Sequence, residues 1–457
     1  MKDNIWKKYE SYDLEKLNEI CDDYRSFISK SKIEREVVRN SIKMAEDLGF
    51  VNLNKYIENN ISLNYGDKVY VNNRNKSLAL FVIGSDDITK GINILGAHVD
   101  SPRLDLKATP LYEDTDMAYL DTHYYGGIKK YQWTTIPLSM HGVIVKTNGE
   151  KIEINIGEDE NDPIFTITDL LPHLAMEQME KKLKNGVEGE NLQLLVGSIP
   201  YGDEKISERV KLNILNILNQ KYGITERDFV SSEIEIVPAF KPRSLGFDGG
   251  LVAAYGQDDK VCVYTALRAM MEIENPKRTA VCLFSDKEEI GSVGNTGMCS
   301  NIFKTFLTEL LERSGFNQIN AINRLFANSK MLSADVDAGV NPLYDEVHDK
   351  GNCAYVGFGM SVNKYTGSGG KYNSSDANAE YVAEIRNLFD ANSIRYQIAE
   401  LGKVDEGGGG TIAYILANQG VDVIDCGVPV ISMHSPYEVT SKYDIYTAYR
   451  AYKAFLR

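Results

Sequence analysis

The run Ile92-Asn93-Ile94-Leu95-Gly96-Ala97-His98-Val99-Asp100-Ser101-Pro102 joins a short apolar stretch to a histidine, an aspartate and a proline stop. An apolar run of this length, bounded by turn residues, is of strand type. Two further runs repeat the pattern. Val281-Cys282-Leu283-Phe284 leads to Asp286 and Glu288-Glu289, and Val430-Ile431-Ser432-Met433 leads to His434. Metal-type donors therefore stand where strands end, and open α/β sheets bind ligands in the crevice outside the carboxyl ends of their strands.

Residues 14 to 48, nearer the N-terminus, read as two amphipathic helices. Leu14, Leu17, Ile20 and Cys21 share one face, and Val37, Val38, Ile42 and Ala45 the next. A strand-like run covers 78 to 84. From 107 to 233 the character changes, with alternating strands at 142 to 146 and 151 to 156 and helices near 173 to 184 and 208 to 220. After Ser232-Glu233-Ile234-Glu235-Ile236-Val237 the α/β rhythm returns. Helices are expected at 260 to 271, 302 to 313 and 377 to 390, and strands at 279 to 284, 331 to 334, 353 to 357 and 421 to 426. Strands alternating with helices predict an α/β fold class with a mostly parallel sheet covered by helices. That domain comprises 1 to 106 and 234 to 457, and a β-rich second domain is inserted at 107 to 233.

The 457 residues are 43% hydrophobic and 25% charged, globular values for a chain long enough for two or three domains. Fifty Lys and Arg against 65 Asp and Glu leave a net charge of −15, which argues against nucleic acid and anionic membrane surfaces as partners. The six cysteines are scattered without a C-x-x-C pair, the usage of a reducing compartment. Met1 to Lys8 holds no apolar stretch of signal-peptide length, and no segment reaches the roughly 18 uninterrupted apolar residues of a membrane helix. A cytoplasmic protein is expected.

Carboxylates and imidazoles from several strand ends suit zinc, with cobalt or manganese as alternatives, whereas a thiolate site would need paired cysteines. The donor series His98, Asp258-Asp259, Glu288-Glu289, Asp335 and His434 has the make-up of a two-metal hydrolase. Of two adjacent carboxylates at a strand end, one can bind an ion while the other takes the proton from an attacking water. Asp100, two positions from His98, is placed to accept from the free imidazole nitrogen.

In this order the blocks resemble the M18 family of metalloaminopeptidases, the aspartyl aminopeptidase and aminopeptidase I family. The likeness starts at His98-Val99-Asp100-Ser101-Pro102 and continues through Tyr125-Gly126-Gly127-Ile128 with Trp133, Leu171-Pro172-His173-Leu174-Ala175 and Glu226-Arg227-Asp228-Phe229. Its most specific block is Asp286-Lys287-Glu288-Glu289-Ile290-Gly291-Ser292; Ser333-Ala334-Asp335, Gly409-Gly410-Thr411-Ile412 and Met433-His434-Ser435 complete it. The resemblance implies two divalent ions bridged by Asp258, with His98 and Asp335 on one and Glu289 and His434 on the other. It makes Glu288 the general base. It also implies that His173 reaches the active site of a neighbouring subunit, that the insert pairs subunits, and that the assembly is a homododecamer built from dimers. Three departures accompany it: Gly256-Gln257-Asp258-Asp259 stands where the family shows Arg-Leu-Asp-Asn, so Asp258 is chosen over Asp259 by register, and Val336-Asp337-Ala338-Gly339 and Asn341-Pro342 replace blocks that carry two imidazoles.

The leading expectation is an aminopeptidase that removes N-terminal residues from peptides. A deacylase, dipeptidase or carboxypeptidase would use the same chemistry, and a non-catalytic assembly protein would keep the fold without turnover. The Glu288 base speaks against that last reading. Lys371 and Lys403 are candidates for reading an acidic substrate side chain.

Overall fold

The computed structural model describes Asn4, residues 14–202 and residues 205–457. Met1 to Lys8, which carries the expectation about a signal peptide, lies outside these apart from Asn4. The chain forms two compact units. Residues 1–100, 242–433 and 438–457 make the first, and 101–241 with 434–437 make the second. The second unit is thus wider than 107 to 233, because the strand Arg103–Asp114 and the strand Ser232–Pro238 pair with each other inside it. Among the described residues no helix is long and apolar enough to cross a membrane.

The first unit is built on a nine-stranded sheet in the order 51–52, 68–73, 77–82, 280–285, 93–98, 330–333, 422–427, 360–363, 396–398. The sheet is mixed. Its centre, from 280–285 through 93–98 and 330–333 to 422–427, runs parallel, while 68–73 against 77–82, 77–82 against 280–285 and 422–427 against 360–363 are antiparallel. Side chains alternate between two apolar layers, as a two-residue period requires. Leu95, Ala97, Cys282 and Phe284 face a core that includes residues of the helices Leu14–Ser29, Gln257–Met271 and Lys442–Leu456. Ile92, Ile94, Val281 and Leu283 face the opposite core, with Leu307 and Leu310 of the helix Ile302–Arg313. Burial on both faces is why these strands read as unbroken apolar runs.

A smaller five-stranded sheet in the same unit has the order 243–245, 251–254, 438–441, 429–431, 337–338. The expected strand at 353 to 357 is absent. Asp444, on the first turn of the helix Lys442–Leu456, accepts from the N–H groups of Gly357 and Gly359 at 2.6 and 2.8 Å, and Gln397 Oε1 accepts from Tyr355 N–H at 2.9 Å. Side chains thus take donors that a ladder would use, and pairing moves to Met360–Asn363.

The second unit is a six-stranded antiparallel sheet in the order 151–156, 138–145, 232–238, 103–114, 117–125, 194–197. The helix Arg209–Tyr222 has no cap of its own, since Glu208 is left-handed at φ 52°, and Glu113 Oε2 accepts from Val210 and Lys211 N–H at 2.8 Å each. A carboxylate there satisfies orphan donors and the positive helix end together. The continuous helix expected at 173 to 184 is broken into the turns Pro172–Leu174, Met176–Met179 and Leu183–Gly186. Only Ala175 of that stretch is buried, so no packed face holds one helix together.

Candidate metal centre

Three of the parallel central strands deliver the first donors. The strand Asn93–His98 ends on His98, 280–285 is followed by Glu288 and Glu289, and 330–333 by Asp335. Ser285 pairs with His98 and Ser333 with Gly96, so these ends lie level across the sheet. Asp258 and Asp259 come from the entrance to the helix Gln257–Met271, where both depart from helical geometry (Asp258 φ −79°, ψ 107°).

His98 is 1% exposed. Its Nε2 lies 3.1 Å from Asp258 Oδ1, 3.7 Å from Asp335 Oδ1 and 3.9 Å from Glu288 Oε2. Its Nδ1 lies 3.3 Å from Asp100 Oδ1 and 3.1 Å from the Asp100 carbonyl. Acceptors at Nδ1 fix the tautomer that leaves the Nε2 lone pair for an ion. Burial works against protonation of His98, yet the carboxylates of Asp100, Asp258 and Asp335 outweigh it and hold the imidazole well above its usual range. A cation at Nε2 would take that proton's place.

Asp100 is fully buried and organises more than the histidine. Its Oδ1 accepts from Glu288 N–H and its Oδ2 from Glu289 N–H, each at 3.1 Å. One carboxylate therefore sets His98 and the Glu288-Glu289 turn together. Burial pushes Glu288 up to about 8, with the His98 imidazole opposing and Asp335, Asp100 and Asp258 adding to the rise.

The two aspartates of the 258-259 pair divide their work. Asp258 faces His98 Nε2, whereas Asp259, with no exposure, turns its Oδ2 to the His98 backbone N–H at 3.1 Å. Donor atoms of His98, Asp258 and Asp335 all lie within 4.8 Å of one another, as do those of His98, Glu288 and Glu289. Nitrogen and oxygen donors at such spacing suit zinc. Sequence reasoning did not find Gly427, whose absent side chain lets the chain pass: a Cβ there would stand 1.6 Å from the Asp335 carbonyl oxygen. It also missed Glu438, whose Oε2 accepts from Asp258 N–H at 3.1 Å.

His434 belongs to the second unit, on the four-residue segment 434–437. Its Nδ1 is 2.9 Å from the Gly127 carbonyl, an acceptor for a proton on that nitrogen. A Cβ on Gly127 would come to 3.4 Å from that nitrogen. His173 is exposed on the turn Pro172–Leu174, also in the second unit. The two candidate lysines are engaged elsewhere. Lys371 Nζ lies 3.2 Å from Asp376 and 3.7 Å from the Tyr365 ring centre, and Lys403 Nζ donates to the Glu346 carbonyl.

A family model described as aminopeptidase I zinc metalloprotease (M18) matches residues 27–456. The chain belongs to the M18 family. The probable M18 family aminopeptidase 1 of Clostridium acetobutylicum is 51% identical over 453 residues, covering 99% of this chain and 97% of the relative. The crystal structure of the M18 aminopeptidase from Thermotoga maritima superposes with a TM-score of 0.95 at 45% identity, covering 100% of this chain and 99% of that one. At 21% identity the yeast mApe1 dodecamer shares the fold with a TM-score of 0.76, over 95% of this chain and 96% of that one. This M18 chain is accordingly a zinc aminopeptidase, a hydrolase of peptides from their N-terminal end.

Proposed function

We propose that the chain removes N-terminal residues from peptides at a centre of two divalent ions, zinc in the first instance. His98 and Asp335 would hold one ion, Glu289 and His434 the other, and Asp258 would serve both. The observation that carries this reading is the convergence of His98, Asp258 and Asp335 donor atoms within 4.8 Å at the ends of parallel strands. The parallel centre of the large sheet is then a scaffold of zinc-peptidase type. When bound, zinc lowers the pKa of water and polarises a scissile carbonyl.

The chain's own residues do the rest. Glu288 takes the proton from the attacking water on its carboxylate and returns it to the leaving amine. Asp100 keeps the His98 Nδ1 proton in place and, through the two N–H groups it accepts, holds Glu288 and Glu289 in their separate roles. Residues 1–100, 242–433 and 438–457 form the catalytic domain in this reading, and the second unit serves assembly.

Leu174, Met176, Met179 and Leu183 are 67% to 78% exposed on one stretch of the second unit, an apolar surface of the kind that subunits cover. We read it as part of the contact that builds a homododecamer from dimers and carries His173 to a neighbour's active site. The free thiols, five of them buried, fit a reducing cytoplasm.

Elemental analysis of the zinc-loaded protein tests the centre. The wild type should hold two ions per chain, Asp258→Ala should lose both, and Asp259→Ala should keep more than Asp258→Ala. A wild-type metal content in Asp258→Ala contradicts the shared ligand. Free peptides should be cleaved and their N-acetylated counterparts spared, which separates an aminopeptidase from a deacylase on the same metals.

A further inference from the structure

Glu438 opens the strand Glu438–Ser441, four residues beyond His434 in the chain, and is 1% exposed. It pairs with Ala254 across the small sheet, directly before the turn that leads to Asp258. Its Oε2 accepts from the backbone N–H of Asp258 at 3.1 Å. Its own carbonyl accepts from Gln257 Nε2 at 2.7 Å, and Gln257 also donates to the Val252 carbonyl at 3.2 Å and accepts from the Tyr24 hydroxyl at 3.2 Å. Gln257 and Asp258 are thus both hydrogen-bonded to Glu438.

The arrangement has a geometric cause. With φ −79° and ψ 107°, Asp258 is extended, so its N–H has no place in the helical ladder that follows and takes a side-chain acceptor instead. Rotation of that peptide would swing the Asp258 carboxylate away from His98 Nε2, 3.1 Å distant. The hydrogen bond to the Glu438 side chain restrains the direction of that peptide.

We propose that Glu438 is a positioning residue of the metal centre: by accepting from Asp258 N–H it aims the Asp258 carboxylate. The inference rests on Asp258 being a metal ligand. Partners behind first ligands commonly contribute 10–100-fold in metal affinity. An amide oxygen can accept the same N–H, whereas an aliphatic side chain cannot.

Zinc affinity, measured by competition with a chromophoric chelator, and the absorption spectrum of the cobalt-loaded protein test this with Glu438→Leu, Glu438→Asp, Glu438→Gln and Asp258→Asn. Glu438→Leu should lose roughly 10–100-fold in zinc affinity and change the cobalt spectrum. Glu438→Gln should retain most of the affinity and the wild-type spectrum. If Glu438→Leu does not fold, Glu438→Asp, one methylene shorter, should show the loss in a folded protein. Wild-type affinity and spectrum in Glu438→Leu or Glu438→Asp, with zinc lost from Asp258→Asn, overturns the role of Glu438 and leaves the ligand standing. Wild-type affinity in Asp258→Asn overturns the ligand and this inference together. A Glu438→Gln variant as poor as Glu438→Leu also overturns it, since charge rather than position would then be what matters.

Discussion

Glu288 and Glu289 share a turn and an anchor, yet their carboxyl groups meet different surroundings. Glu288 lies 3.9 Å from His98 Nε2 and is pushed up to about 8 mainly by burial. Glu288→Gln should keep its metal content while kcat falls by roughly 10²–10⁴-fold, the range of a lost general base. Glu289→Gln should lose metal. Steady-state kinetics beside elemental analysis separates the two, and the opposite pattern would exchange their roles. The same burial sets a pH dependence. Without metal, Glu288 at about 8, Asp425 at about 7 and Asp337 at about 6 bind protons more tightly folded than unfolded. Stability from these groups is complete below the ordinary carboxylate range near 4 and is lost as pH rises through 6 to 8. His98, held above its ordinary value, works in the same direction. The metal-free protein should therefore melt at lower temperature at pH 8.5 than at pH 5.5, and Glu288→Gln should flatten the upper part of that slope. A melting temperature that climbs across this range in metal-free wild type contradicts the assignment.

Elements differ in how legible they were. Strands buried on both faces announce themselves, because an apolar run such as Ile92 to Ala97 has no other simple reading, and the helix expected at 302 to 313 is present with those bounds. Donors at the ends of such strands could be read together with them. The stretch 353 to 357 could not, since its failure to form a strand depends on Asp444, almost ninety residues further on. Glu438 was hidden for a similar reason: what it accepts from is set by a fold, and a glutamate at the start of a strand carries no local sign of that. Gly427 was passed over because close approach of two backbones leaves no trace in spacing. Asp444→Ala should leave the Gly357 and Gly359 N–H groups without their acceptor and cost roughly 2–6 kcal/mol in chemical denaturation, at about 1–3 kcal/mol for each buried group stranded. Asp444→Asn, which keeps one acceptor oxygen, should cost less. Equal stability in all three proteins would show that the turn does not depend on this residue.

At the scale of the molecule the question is what the second unit does with its exposed apolar stretch and with His173. If subunits share active sites, His173→Phe should lower activity without changing particle size, and Met176→Lys with Met179→Lys should shift light scattering toward smaller species. Those dissociated species should still bind zinc yet turn over peptides poorly. A fully active monomer at assay concentration would defeat both the shared site and the assembly reading.

The donors His98, Asp258, Glu289 and Asp335 are far apart in the chain and meet only when the first unit is folded. All six cysteines are free, so no covalent link joins those segments. An ion gripping them would act as a clasp on the backbone, and metal held at 100 times its Kd adds about 2.7 kcal/mol to the folded state. Scarcity of zinc would then shorten the lifetime of the protein as well as idle it. The protease would become prey to other proteases in the very conditions that switch it off.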